Sequence, residues 1–95
     1  MNAPDPLVHA PARLEIMLLL SAAQAADFVF LQRETGLTKG NLAAHLNKLE
    51  AAGYLSVEKT FRGRVPQTRL RLTDAGRGAL RGYRQHLAGV LERLS

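Results

Sequence analysis

Ninety-five residues, 46% apolar and 22% charged, make one small globular domain and exclude both a disordered tail and a two-domain chain. The absence of cysteine removes thiolate zinc sites, thiol nucleophiles and a disulfide scaffold, and the thin core calls for self-association, favoured here over a metal, as a source of added stability. A net charge of +5 suits a polyanionic partner, and no apolar run approaches the ~18 residues of a membrane span.

Residues 1–11 hold Pro4, Pro6 and Pro11 and read as a flexible lead to a single domain over residues 12–95. Proline in a first turn favours a helix from Ala12 to Ala23. Leu14, Ile16, Met17, Leu18, Leu19 and Leu20 cover most of its circumference, more than one stripe needs, so this helix is expected to pack on its own core and on a second copy of the chain. Ile16 to Leu20 followed by Ala23-Gln24-Ala25 has the outline of a secretion signal. Glu15 and Asp5 deny it the basic leader such a signal requires, and that reading is set aside.

Asp27 is placed to cap a short helix from Phe28 to about Glu34 that stops at Gly36. Thr38 then caps the best-specified element, a helix over about 38–52. Leu37 before the cap and Leu42 inside the helix form a hydrophobic staple. Leu42, Leu46 and Leu49 follow at i, i+4, i+7, and Gly53 closes the helix. Two helices joined by a short turn containing glycine are a helix-turn-helix pattern.

After Gly53 the period falls from 3.6 to 2. Leu55, Val57 and Phe61 alternate with Ser56, Glu58 and Thr60, and Thr68, Leu70 and Leu72 alternate with Arg69 and Arg71, which predicts a β-hairpin over about 54–72 with Arg62 to Pro66 as its tip. Thr73 caps a last helix over about 73–94. Its Leu80, Tyr83, Leu87, Val90 and Leu94 recur at spacings of 3 and 4, a seam that meets another helix. The fold class is therefore mainly α with a small β-hairpin.

The positive charge is concentrated in this second half. Residues 59–84 carry Lys59, Arg62, Arg64, Arg69, Arg71, Arg77, Arg81 and Arg84 against Asp74 alone, eight minus one or +7, whereas residues 1–58 come to four minus six or −2. Arginine, ten of the thirteen cations, is the side chain best shaped to fork a phosphate.

The run from Thr35-Gly36-Leu37-Thr38-Lys39-Gly40-Asn41-Leu42 through Ala43-Ala44-His45-Leu46-Asn47-Lys48-Leu49 to Glu50-Ala51-Ala52-Gly53-Tyr54-Leu55 resembles the recognition segment of small winged-helix transcriptional regulators, relatives of the MarR-type and ArsR-type repressors. Arg71-Leu72-Thr73-Asp74-Ala75-Gly76-Arg77 is similar to the strand-to-last-helix junction of that family, and the likeness spans roughly Arg13 to Leu94. It implies a winged helix-turn-helix domain that binds a palindromic operator as a homodimer, cytoplasmic and associated with the nucleoid when on DNA.

The residues agree with that implication. With the three leucines inward, Gly40, Ala44, Asn47 and Ala51 centre the opposite face, a small-residue surface able to sit deep in a major groove. Asn41 and Asn47 offer a donor and an acceptor to adenine, Thr38 and Gly40 bring backbone N–H groups near phosphate, and Lys39 and Lys48 hold the backbone. Arg62, Gly63 and Arg64 form a wing for the adjacent minor groove, and Arg69, on one strand face with Arg71, is placed to meet phosphates or carboxylates such as Glu58 across the ribbon. Dimer contacts fall on Leu14, Met17 and Leu18 of the first long helix and on Leu80, Tyr83, Leu87, Val90, Leu91 and Leu94 of the last. Half-sites about one helical turn, ~34 Å, apart follow from such a dimer, and roughly eight phosphate contacts give a salt slope near −7.

Arg77, Arg81 and Arg84 form a further basic stripe, open to reading as a solvated flank or as a DNA contact. Gly78, Gly82 and Gly89 lie opposite the seam with no assigned role. Enzymatic function is not expected: His9, His45 and His86 sit on three segments with no His-x-x-x-His pair, Ser21 and Ser56 have no evident base, and no phosphate or dinucleotide loop is present. No metal or cofactor is implied, and a small-molecule effector would have to act at the dimer cleft between the first and last helices. The other reading is a winged-helix module that docks an acidic protein and has no preferred DNA sequence.

Overall fold

The computed structural model describes residues 5–94. Five helices and three strands follow in the order α1 (Pro6–His9), α2 (Pro11–Ala22), β1 (Ala26–Asp27), α3 (Phe28–Thr35), α4 (Lys39–Ala51), β2 (Leu55–Arg62), β3 (Val65–Leu72) and α5 (Asp74–Leu94). The long elements match the sequence periodicities. The Asp27 carboxylate accepts from the Phe30 N–H at the start of α3, and the Thr38 hydroxyl accepts from the Asn41 N–H at the start of α4.

The core gathers Ile16, Met17 and Leu20 from α2, Leu31 from α3, Leu42, Leu46 and Leu49 from α4, and Leu55, Leu70 and Leu72 from the sheet. Val8 of α1 completes it at 0% exposure. From Asp5 onward the expected lead is thus built into the fold. Asp5 caps α1 by accepting from the Leu7 N–H and also takes the Tyr54 hydroxyl, while Arg13 Nε donates to the Leu7 carbonyl at 2.8 Å. Prolines that read as interruptions here serve at the first positions of α1 and α2, where a missing N–H costs nothing. The remainder of the expected lead, residues 1–4, lies outside the described residues.

The sheet has the order β1-β3-β2 and is antiparallel throughout. Its third strand, β1, pairs Ala26 with Leu70 and Asp27 with Arg69, an addition to the expected hairpin. The hairpin turn is tighter than the predicted five-residue tip. Arg62 pairs with Val65 across Gly63 and Arg64, and Gly63 takes a φ of 65°, a left-handed value that opens a two-residue hairpin turn cheaply only at glycine.

Paired residues Leu55 and Leu72, and Val57 and Leu70, face the helices, but the ribbon then outruns the core. Phe61 shares that face and is nonetheless 69% exposed. The five steps from Val57 to Arg62 carry the turn about 16 Å past the last core pair.

Helix α5 behaves differently from the rest. Of its 21 residues only Gly76 is buried, and the molecule measures 53 × 25 × 21 Å. The radius of gyration, 14.4 Å, exceeds the ~12.4 Å of a compact chain of this length because α5 projects.

Candidate nucleic-acid interface

Helix α4 divides as its sequence predicts. Leu42, Leu46 and Leu49 are buried, while Thr38, Lys39, Gly40, Asn41, Ala44, Asn47, Lys48 and Ala51 are all exposed. The leucine stripe therefore turns the small and amide-bearing face outward, and the staple residue Leu37 packs against the core at the approach to the helix. Thirteen residues give an exposed ridge about 20 Å long, narrow enough at Gly40, Ala44 and Ala51 for a groove about 12 Å wide.

Arg62, Gly63 and Arg64 are exposed at the end of the projecting ribbon. Arg62 also borders a cavity that the ribbon forms with Phe28, Val29 and Arg33 of α3, and Arg64 lies at the turn itself. Arg69 is a different case. The register sets it in the central strand between Glu58 on β2 and Asp27 on β1, exposed, while the Asp27 carboxylate accepts from the Phe30 N–H and from Gln67 Nε2. Arg71 stands opposite Ser56 on the same face.

One anchor of the recognition helix is not apparent from sequence. Arg13 of α2 donates to His45 Nδ1 on α4 at 3.3 Å and to the carbonyls of Leu7 and Pro6, linking α1, α2 and α4 through one guanidinium. Since arginine can only donate, Nδ1 accepts and the His45 proton resides on Nε2. Burial, then Arg13 and Lys48, hold the His45 pKa below its ordinary value. His45 is thus a neutral wedge beside Asn41 and Lys48.

Between α2 and α5 lies a cleft of about 410 Å³ with Leu14, Leu18, Leu80 and Leu87 as its apolar lining. Arg77, Arg81 and Arg84 border it together with Tyr83, whose hydroxyl meets His9 Nδ1 at 3.2 Å. The basic stripe of α5 thus borders a cavity, with Arg81 and Arg84 exposed at its rim. Met17, expected on the dimer face, is instead sealed at 0% exposure beneath this cleft's helix and belongs to the core. Leu18 remains 51% exposed, and along α5 Leu87, Leu91 and Leu94 are exposed while Leu14, Leu80, Tyr83 and Val90 are half-buried.

Among the described residues no cluster of three or more His, Cys, Asp or Glu could hold a metal, and no helix is long and apolar enough to cross a membrane.

Residues 12–91 match the family described as the winged helix DNA-binding domain. An uncharacterised protein of Methanocaldococcus jannaschii is 35% identical over 78 residues, 81% of this chain and 84% of that protein. The structure of a transcriptional regulator homologue from Pyrococcus horikoshii OT3 superposes with a TM-score of 0.87 at 31% identity, covering 94% of this chain and 88% of that one. The transcriptional repressor CouR, solved on a 23-mer DNA duplex, gives a TM-score of 0.74 at 27% identity over 87% of this chain and 58% of its own. With recognition helix, wing and trailing helix all in place, the chain belongs to the winged helix DNA-binding domain family and is a small DNA-binding transcription regulator.

Proposed function

We propose that this regulator acts as a homodimer on a palindromic duplex operator, reading base edges with Asn41 and Asn47, seating Gly40 and Ala44 in the groove, and holding phosphates with Lys39, Lys48, Arg62 and Arg64. The observation that carries the reading is the pairing, in one chain, of an exposed small-residue recognition face with an α5 whose apolar seam runs past its own core and leaves Leu87, Leu91 and Leu94 exposed. A two-fold axis that joins two such seams with Leu18 buries apolar surface a core this small cannot cover alone, and it sets two recognition helices on one face of the duplex.

The cleft between α2 and α5 is where an effector would act. Its leucine lining and three border arginines suit a small molecule with an apolar body and an anionic end. The reading assigns the chain no catalytic role and places it in the cytoplasm.

Selection of bound sequences from a random duplex pool at about 150 mM salt, where nonspecific binding is weak, tests the reading. Enrichment of an inverted repeat is the expected result, with sedimentation giving twice the monomer mass. Enrichment of nothing by a folded dimer would refute operator binding and direct attention to an acidic protein partner.

A further inference from the structure

Four glycines punctuate α5, and the structure separates one of them from the others. A Cβ at Gly82 or Gly89 would meet nothing within 4 Å, and at Gly78 only the Arg81 guanidinium at 3.7 Å. At Gly76 it would fall 2.3 Å from the carbonyl oxygen of Tyr54 and 3.1 Å from Leu72 Cδ2. The first turn of α5 thus lies directly on the backbone that leaves α4.

Hydrogen bonds close the same joint. The Thr73 N–H donates to that Tyr54 carbonyl at 3.1 Å, the Thr73 hydroxyl donates to the Gly53 carbonyl, and the Gly76 N–H donates to Thr73 Oγ1 at 3.0 Å. On the other side, Gly53 and Tyr54 donate to Glu50 and Leu49 of α4, both at 2.9 Å. The end of the recognition helix and the start of α5 are therefore bolted together through four residues.

We propose that the Gly76–Tyr54 contact is the positioning element that sets the angle between the recognition helix and α5, and through the dimer the spacing of the half-sites the regulator selects. The proposal rests on the dimeric operator reading given above. Relief of a 2.3 Å contact to an ordinary 3.4 Å moves the backbone by roughly 1 Å. Helix α5 next packs on the core at Ala79 and Leu80, and with Leu80 as the pivot, about 6 Å along the axis, the tilt is about 10°. Over the ~21 Å from Leu80 to Leu94 that tilt becomes about 4 Å at the seam. Two-fold symmetry doubles the displacement to about 7 Å between recognition helices, roughly two steps of ~3.4 Å along the duplex.

The test is selection from a pool of duplexes in which the half-sites chosen by the wild type are separated by every spacing from zero to twelve base pairs. Gly76→Ala should retain the half-site sequence and shift the preferred spacing by one or two base pairs, and Gly82→Ala should leave it where the wild type has it. A folded, dimeric Gly76→Ala that selects the wild-type spacing overturns the proposal. Should Gly76→Ala fail to fold, as judged by circular dichroism, Thr73→Val decides. That variant loosens the joint without crowding it, so a broadened range of accepted spacings supports the proposal and an unchanged, equally sharp preference overturns it. A wild type that enriches only single half-sites refutes the dimeric reading itself, and the proposal falls with it.

Discussion

Replacing Val8 by alanine asks whether the segment before α2 belongs to the domain. Val8 is 0% exposed in a helix of four residues that has no stability of its own. Removing two methyl groups forfeits about 1.6 kcal/mol of burial, at ~0.8 kcal/mol per group. The space left behind, roughly 50 Å³, adds about 1 kcal/mol where the surroundings cannot collapse onto it. Held by Asp5 to Tyr54, by His9 to Tyr83 and by Arg13 to the Leu7 carbonyl, α1 has little freedom to collapse, so the total is about 2.5 kcal/mol. In a domain of this size that lowers the melting temperature by about 10–20 °C. Denaturant and thermal unfolding at one fixed protein concentration, necessary because dimerisation adds to apparent stability, supply the measurement. Val29→Ala on α3, a side chain 60% exposed, is the control and should stay within about 0.5 kcal/mol of wild type. A Val8→Ala cost no larger than the control's would refute the reasoning and return residues 5–9 to the status of a tail.

Asn47→Ala should flatten discrimination at one base pair of each half-site, by about 1–3 kcal/mol in competition binding, while binding to random duplex is unchanged; equal losses on all sequences would remove Asn47 from base readout. Leu91→Glu places a charge on a residue 59% exposed in one protomer, so the monomer should fold normally while sedimentation equilibrium shows dimer dissociation raised at least about a hundredfold. His45 is held neutral in the fold, chiefly by burial, so its unfolded form binds a proton first: stability is complete above its ordinary 6.5 and declines as pH falls from there through the depressed folded value. Melting temperatures from pH 7.5 to 5 should fall less steeply in His45→Gln than in wild type, and parallel curves would exclude His45 as the cause.

Elements whose sequence repeats over several periods were legible. Helix α4 announces itself by a staple, a cap and three leucines, each stating the same inner face, and the structure keeps all three roles. Elements shorter than one period were not. Two residues of β1 and four of α1 present no repeat, and both exist because a neighbour holds them: β3 pairs Ala26 and Asp27, and Tyr54, Arg13 and Tyr83 hold Asp5 to His9. The misplacement of Met17 has a related origin. A helix apolar on nearly every side carries no information about which side faces the core, and only packing separates buried Met17 from exposed Leu18. Gly76 was hidden among four glycines of identical local character, since what distinguishes it is the carbonyl of Tyr54, twenty-two residues earlier.

The same spatial sorting applies to charge, and it makes the salt dependence of DNA binding a sharp test of the whole arrangement. Sequence alone groups eight cations over residues 59–84. The structure divides them: Arg62 and Arg64 at the wing turn, Lys59, Arg69 and Arg71 along the strands of the ribbon, and Arg77, Arg81 and Arg84 around the α2–α5 cleft. On the proposed reading, Lys39 and Lys48 of α4 and the two wing arginines are four phosphate contacts per protomer and eight per dimer, for a slope of log K against log salt near −7. Were the three cleft arginines also on DNA, fourteen contacts would steepen it to about −13. Titration of the selected operator between 50 and 300 mM salt separates these values easily. A slope near −7 that Arg64→Ala reduces in size by about 2, and Arg81→Ala leaves alone, fits a cleft reserved for something other than the duplex. A slope near −13 would bring α5 down onto the DNA and refute the division of labour between wing and cleft.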